Sequence, residues 1–174
     1  MSLAKYLVYA TIVSTFVLIV WGAYLTAGNY GGDCGTTTGG SLVSSDWPYC
    51  NGSLAVPNPA VNYGALVEYV HRTLSVVTSV FLAVTTVVVW RMKPRPTEPS
   101  RALLLSLAML VVQVGLGDVV VNSGLNAAVT AVHLANATAL FAVMVVAGTY
   151  MHMLERRRPQ DKAKSLASPP ATDA

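Results

Sequence analysis

Charge is what this chain has least of. Only 11% of its 174 residues are Asp, Glu, Lys or Arg, against 53% hydrophobic, and the mean hydropathy is +0.53. Soluble domains carry about 25% charged residues, so this composition excludes an ordinary soluble domain and predicts an integral membrane protein. Lys and Arg are missing altogether from residues 28–64 and 122–128, while ten of the eleven lie at Lys5, between Arg91 and Arg101, or between Arg156 and Lys164. That segregation is a topology signal and not an anion-binding face, so the net charge of +3 does not point to nucleic acid. No stretch alternates with period two as a membrane β-strand would, which leaves helices as the spanning elements.

Four apolar segments are long enough to cross a bilayer: residues 6–27, 65–90, 102–121 and 129–151. Each covers about 30 Å or more at about 1.5 Å per residue. The expected fold is an all-α membrane protein, a four-helix transmembrane bundle over residues 1–155 with a basic, then disordered, tail over 156–174. The first segment follows a single basic residue and no small-residue cleavage site, so it reads as a retained span and not a signal peptide. The basic clusters place both termini in the cytoplasm of a multi-pass cell-membrane protein, with loops 28–64 and 122–128 extracytoplasmic.

Cysteine is nearly absent too. Cys34 and Cys50 are the only two, and both fall in the outer loop, where an oxidising compartment lets a disulfide persist. A bridge there would contribute about 3 kcal/mol by closing a loop of about 15 residues. Two uses stand side by side: pinning the Gly-, Ser- and Thr-rich loop as a lid over the bundle, or exchanging electrons with a partner. The missing Cys-x-x-Cys and second cysteine pair weigh against a four-span thiol oxidoreductase.

Against this apolar background stands Glu68-Tyr69-Val70-His71-Arg72. A carboxylate, an imidazole and a guanidinium near the start of a span are costly to keep and are a functional-site hypothesis by default. His71 lies nineteen residues from Trp90 at the inner boundary, and His133 lies eighteen from Met151. The two segments run in the same direction, so the imidazoles stand within about 2 Å of one level. Two level histidines on facing helices are the arrangement that supplies both axial ligands of a haem. The bland alternative is a pair of satisfied buried histidines bonding neighbouring helices.

The neighbours fit a haem. Arg72 stands where a guanidinium can pair propionates, although an ion pair to Glu68, four residues earlier, or to Asp118 would also occupy it. Gly115 and Gly117 permit close approach of a flat ligand or a helix, and Asn136 lies one turn from His133. His152, about 28 Å inward of His133, reads as an interfacial residue and not a ligand. Glu68 shares a face with His71 and lies about one turn further out, where it can accept a proton beside whatever His71 binds. A protein that only passes electrons needs no such group.

Taken in order, Cys34 to Asp46-Trp47-Pro48-Tyr49-Cys50-Asn51-Gly52, Glu68-x-x-His71-Arg72, Gln113-Val-Gly-Leu-Gly117, Gly124-Leu-Asn126 and His133-Leu-Ala-Asn136 resemble the haem A synthase family. The resemblance runs from about Trp21 to Ala147. It implies an oxidoreductase of haem A biosynthesis that converts the C8 methyl group of haem O to the formyl group of haem A, for terminal oxidases. It also implies His71 and His133 as iron ligands, Glu68 as a catalytic carboxylate, Cys34 and Cys50 as the loop pair, and an electron donor as partner. Members of the family typically have eight spans in two halves, one for substrate haem and one for a b-type haem cofactor. This chain matches one half, so a homo-oligomer of at least two copies is expected. It lacks the basic residue common near the end of the first span, where Gly22-Ala-Tyr-Leu-Thr-Ala-Gly28 stands, and its Cys-to-Cys loop is longer. Two alternatives keep the haem and drop the chemistry: a bis-histidine b-type cytochrome, and a haem-carrying assembly factor.

Overall fold

The computed structural model describes residues 3–38, 41–43 and 49–167. Its order is α1 (Leu3–Ala27), β1 (Thr36–Thr38), β2 (Ser41–Val43), α2 (Tyr63–Trp90), α3 (Thr97–Asn122) and α4 (Ala127–Ala167). Four helices are long and apolar enough to cross a membrane, with α4 qualifying over Ala127–Arg157. The protein is a multi-pass integral membrane protein; among the described residues the regular structure is helical apart from one antiparallel hairpin in the long loop, where Thr36 pairs with Val43. Asp46-Trp47-Pro48 of the loop motif lie outside the described residues.

Local chemistry sets the helix ends. Asn62 caps α2, its side chain accepting from the Ala65 N–H at 3.0 Å. The α3–α4 turn passes through Gly124 and Leu125, both with positive φ, and Asn126 then caps α4 by accepting from the N–H groups of Ala128 and Val129. A short Pro-rich connection joins α2 to α3, and Arg95 lies over the Trp90 ring at 3.6 Å. At the far end α4 runs on through Pro159 to Ala167, where the sequence reading has an irregular tail. Pro159 removes a single helical N–H donor, while Gln, Lys, Leu and Ala beyond it are good helix formers.

The helices form a ring in which α1 touches α2 and α4, and α3 touches α2 and α4; the diagonal pairs α1/α3 and α2/α4 do not meet. Packing is concentrated at the end carrying the basic residues. Ala4, Val8, Leu82, Val89, Leu103, Leu140, Met144, Ala147 and Met151 make one buried cluster. Gly148 lets Ile12 and Val8 press against α4, and the hydroxyls of Thr11 and Thr85 meet at 2.8 Å inside it. In a bilayer such close van der Waals packing and interhelical hydrogen bonds hold helices together, since lipid tails are as apolar as the side chains. Lys5 pairs with Glu155 at 3.0 Å and Tyr9 reaches His152 at 3.4 Å, so His152 belongs to this end of the bundle.

Candidate functional site

The outer half is built differently. Residues 16–27 of α1, 69–77 of α2, 107–122 of α3 and 127–139 of α4 contain no fully buried residue. Above this section sits a small second cluster of Cys34, Cys50 and Ala65, with Tyr69 against it. Cys34 and Cys50 are joined by a disulfide whose sulfurs rest near the Ala65 carbonyl, so the loop is pinned onto the first turn of α2. β2 reaches α3, and the loop therefore spans from α2 to α3 over the outer end of the bundle.

Glu68 and Arg72 clamp that lid. Glu68 is 3% exposed; its Oε2 accepts from the Cys34 N–H at 2.8 Å, and its Oε1 accepts from Nε of Arg72 at 3.0 Å and from Nη2. Nη1 of Arg72 donates to the Tyr49 carbonyl at 2.8 Å, beside the other half-cystine. The two groups thus tie both ends of the disulfide segment to one face of α2. Of the two protein ion pairs open to Arg72 in the sequence, the i,i+4 pair with Glu68 is the one formed, and Asp118 accepts from Asn122. Trp21 Nε1 donates to the Val67 carbonyl at 3.0 Å, and Trp21, Tyr24, Tyr30 and Tyr63 stack in a chain that joins the outer ends of α1 and α2.

Below the clamp, each histidine lies over a glycine of the neighbouring helix. A Cβ on Gly22 of α1 would come within 3.0 Å of Cε1 of His71, and one on Gly117 of α3 would come within 3.4 Å of Cε1 of His133. Gly115 has nothing within 4 Å of the corresponding position. Nδ1 of both rings is buried and makes no hydrogen bond among the described residues. The rings stand on the diagonal helices α2 and α4. His133 also meets Gln113, Nε2 to Nε2 at 3.1 Å, and Asn136 donates to Gln113 Oε1 at 2.7 Å and to the Met109 carbonyl at 3.2 Å.

These residues fit a haem. Two imidazoles on diagonal helices suit paired axial ligation, each ring lies against a glycine of the neighbouring helix, and no residue of the surrounding section is fully buried. No group of three or more His, Cys, Asp or Glu suited to a bare metal ion occurs among the described residues. Gln113 and Gly22 carry no assigned role in the sequence reading. A signal existed for Gln113, since an amide inside an apolar span needs a partner; for Gly22 nothing short of the tertiary structure names His71 as its neighbour.

The comparisons with known proteins agree with this geometry. Residues 5–169 match the family model described as cytochrome oxidase assembly protein, COX15-CtaA. The chain is 27% identical over 152 residues to heme A synthase of Symbiobacterium thermophilum, covering 86% of this chain and 46% of that protein. It is 28% identical over 142 residues to heme A synthase of Alkalihalophilus pseudofirmus (80% and 44% covered) and 24% identical over 147 residues to that of Listeria welshimeri (84% and 45%). The chain therefore spans less than half the length of the curated relatives it matches. No solved structure matches it significantly. With a match over nearly its whole length, the chain belongs to the COX15-CtaA family of cytochrome oxidase assembly proteins.

Proposed function

We propose that the chain is a haem-binding bundle of the haem A synthase type, which oxidises the C8 methyl group of haem O to the formyl group of haem A for terminal oxidases. The observation that carries this reading is the pair His71 and His133: two rings on diagonal helices, each seated on a glycine with a buried unpartnered nitrogen, in a section without a packed core. The names of the relatives support the choice of reaction. Haem supplies the iron centre when bound and, as haem O, the methyl group to be oxidised.

His71 and His133 would hold the haem iron. Arg72 offers its guanidinium to a propionate, and Glu68 is the proton-accepting carboxylate one turn outward of His71. Both roles draw on the same clamp, because Arg72 and Glu68 are paired with each other and with the lid backbone in the ligand-free geometry. Freeing Glu68 for chemistry therefore couples substrate entry to a shift of the disulfide segment. The lid faces the extracytoplasmic side and both termini face the cytoplasm, as the distribution of Lys and Arg requires. One bundle carries one histidine pair, so a second copy of the chain is the proposed partner that would hold a second haem, alongside an external electron donor.

The test is the pigment. Purified protein expressed with haem O present is extracted, and the haem is identified by mass and pyridine haemochrome spectrum. The wild type should yield haem A, and Glu68→Gln should keep haem O unconverted. Wild-type protein that returns only haem O or haem b would make the chain a cytochrome or a haem carrier instead.

A further inference from the structure

The two histidines are not equivalent, and the difference lies in a chain of three amide and ring groups. Asn136 Nδ2 donates to the Met109 carbonyl at 3.2 Å. A backbone carbonyl only accepts, so this contact fixes which end of the Asn136 amide is nitrogen. The same Nδ2 contacts Gln113 Oε1 at 2.7 Å, which orients the Gln113 amide in turn. Its nitrogen must then face Nε2 of His133 at 3.1 Å. Because that nitrogen carries only hydrogens to give, Nε2 of His133 has to accept, and the ring proton sits on Nδ1. Nδ1 is buried without a partner whichever nitrogen bears the proton, so it does not decide the tautomer. The Gln113 contact does. His71 has no counterpart: among the described residues no hydrogen bond reaches its ring.

We propose that Gln113, aimed by Asn136, is a positioning residue that keeps Nε2 of His133 free of its proton and covers that nitrogen until the iron of a haem takes its place. This rests on the haem reading above. The consequence is an order of assembly. The uncovered ring of His71 engages first, and the His133 bond forms in exchange for the Gln113 amide, which stays tethered to Asn136. A ligand nitrogen held ready in this way binds without first losing a proton to solvent.

Two measurements test it. In ligand-free protein labelled with 15N-histidine, long-range proton–nitrogen spectra should show His133 as the Nδ1–H tautomer. In Gln113→Glu the carboxylate can only accept, so the proton should move to Nε2; in Gln113→Leu, which carries no polar group, a mixture should appear. Titration with ferric haem b should then give a six-coordinate low-spin spectrum in the wild type. Gln113→Glu should bind more weakly, because a proton on Nε2 must then be lost before that nitrogen can bond the iron, with a high-spin component that Gln113→Leu shows less strongly. A wild-type His133 protonated on Nε2 would overturn the proposal, as would variants that keep wild-type affinity and spin state. Wild-type protein with the expected tautomer but no haem uptake would instead overturn the haem reading, and the covering role with it.

Discussion

His71 and His133 are seated alike and supported differently. Each lies over a glycine of the helix that precedes its own, Gly22 under His71 and Gly117 under His133, and each buries an unpartnered Nδ1. In the α1–α2 pair, however, the polar groups lie one turn above the ring and hold the disulfide lid, through Glu68 to Cys34 and Arg72 to Tyr49. In the α3–α4 pair they lie on the ring itself, through Gln113 and Asn136. One histidine is therefore placed through a lid and the other through a direct hydrogen-bond chain. Two helix pairs with the same seat can thus present ligands of different readiness to one haem.

The comparison breaks most visibly if either ring is removed. His71→Ala and His133→Ala should each abolish six-coordinate binding of haem, seen as loss of the low-spin spectrum in the purified protein. If only one of them did so, the diagonal pair would not be the ligand set. Next comes the lid. Cys34→Ser with Cys50→Ser should lower stability in detergent by about 3 kcal/mol, read from denaturant titration against the intact protein. It should also disturb the His71 environment before that of His133, because the bridge rests on α2. The smallest effects should come from the seats, and unequally. Gly22→Ala meets the His71 ring at 3.0 Å, a distance that forces the ring to give way, whereas Gly117→Ala meets His133 at an ordinary 3.4 Å. Haem affinity should fall about tenfold for the first and change little for the second.

Much of this was legible in the sequence. The four helices followed from apolar length, while the common level of the two histidines is an expectation from counting residues to the inner boundary. Asn136 stands one turn from His133 on the same helix. What the chain could not tell by itself was which helix each side chain meets. Gly117 marks a place of close approach and Gly22 is an ordinary small residue until the tertiary structure puts a ring on each. Arg72 illustrates the same limit: its neighbour on the helix, Glu68, and a ligand propionate are both sound partners, and only packing under the lid shows the first in place. The tail from Pro159 looked irregular because proline and polar residues dominate it, yet α4 continues there, since one proline removes one helical hydrogen bond and leaves the good helix formers beyond it. Gln113 stood in a recognisable run, but its contact with His133 depends on how α3 lies against α4.

The central claim is that His71 and His133 of one chain hold one haem between them, and the most direct measurement is its stoichiometry and coordination state. Purified chain loaded with haem should carry one haem per bundle with the low-spin absorption and electron paramagnetic resonance signals of two imidazole ligands. A high-spin, single-histidine signal, or a haem that remains six-coordinate when both His71 and His133 are replaced by alanine, would contradict it.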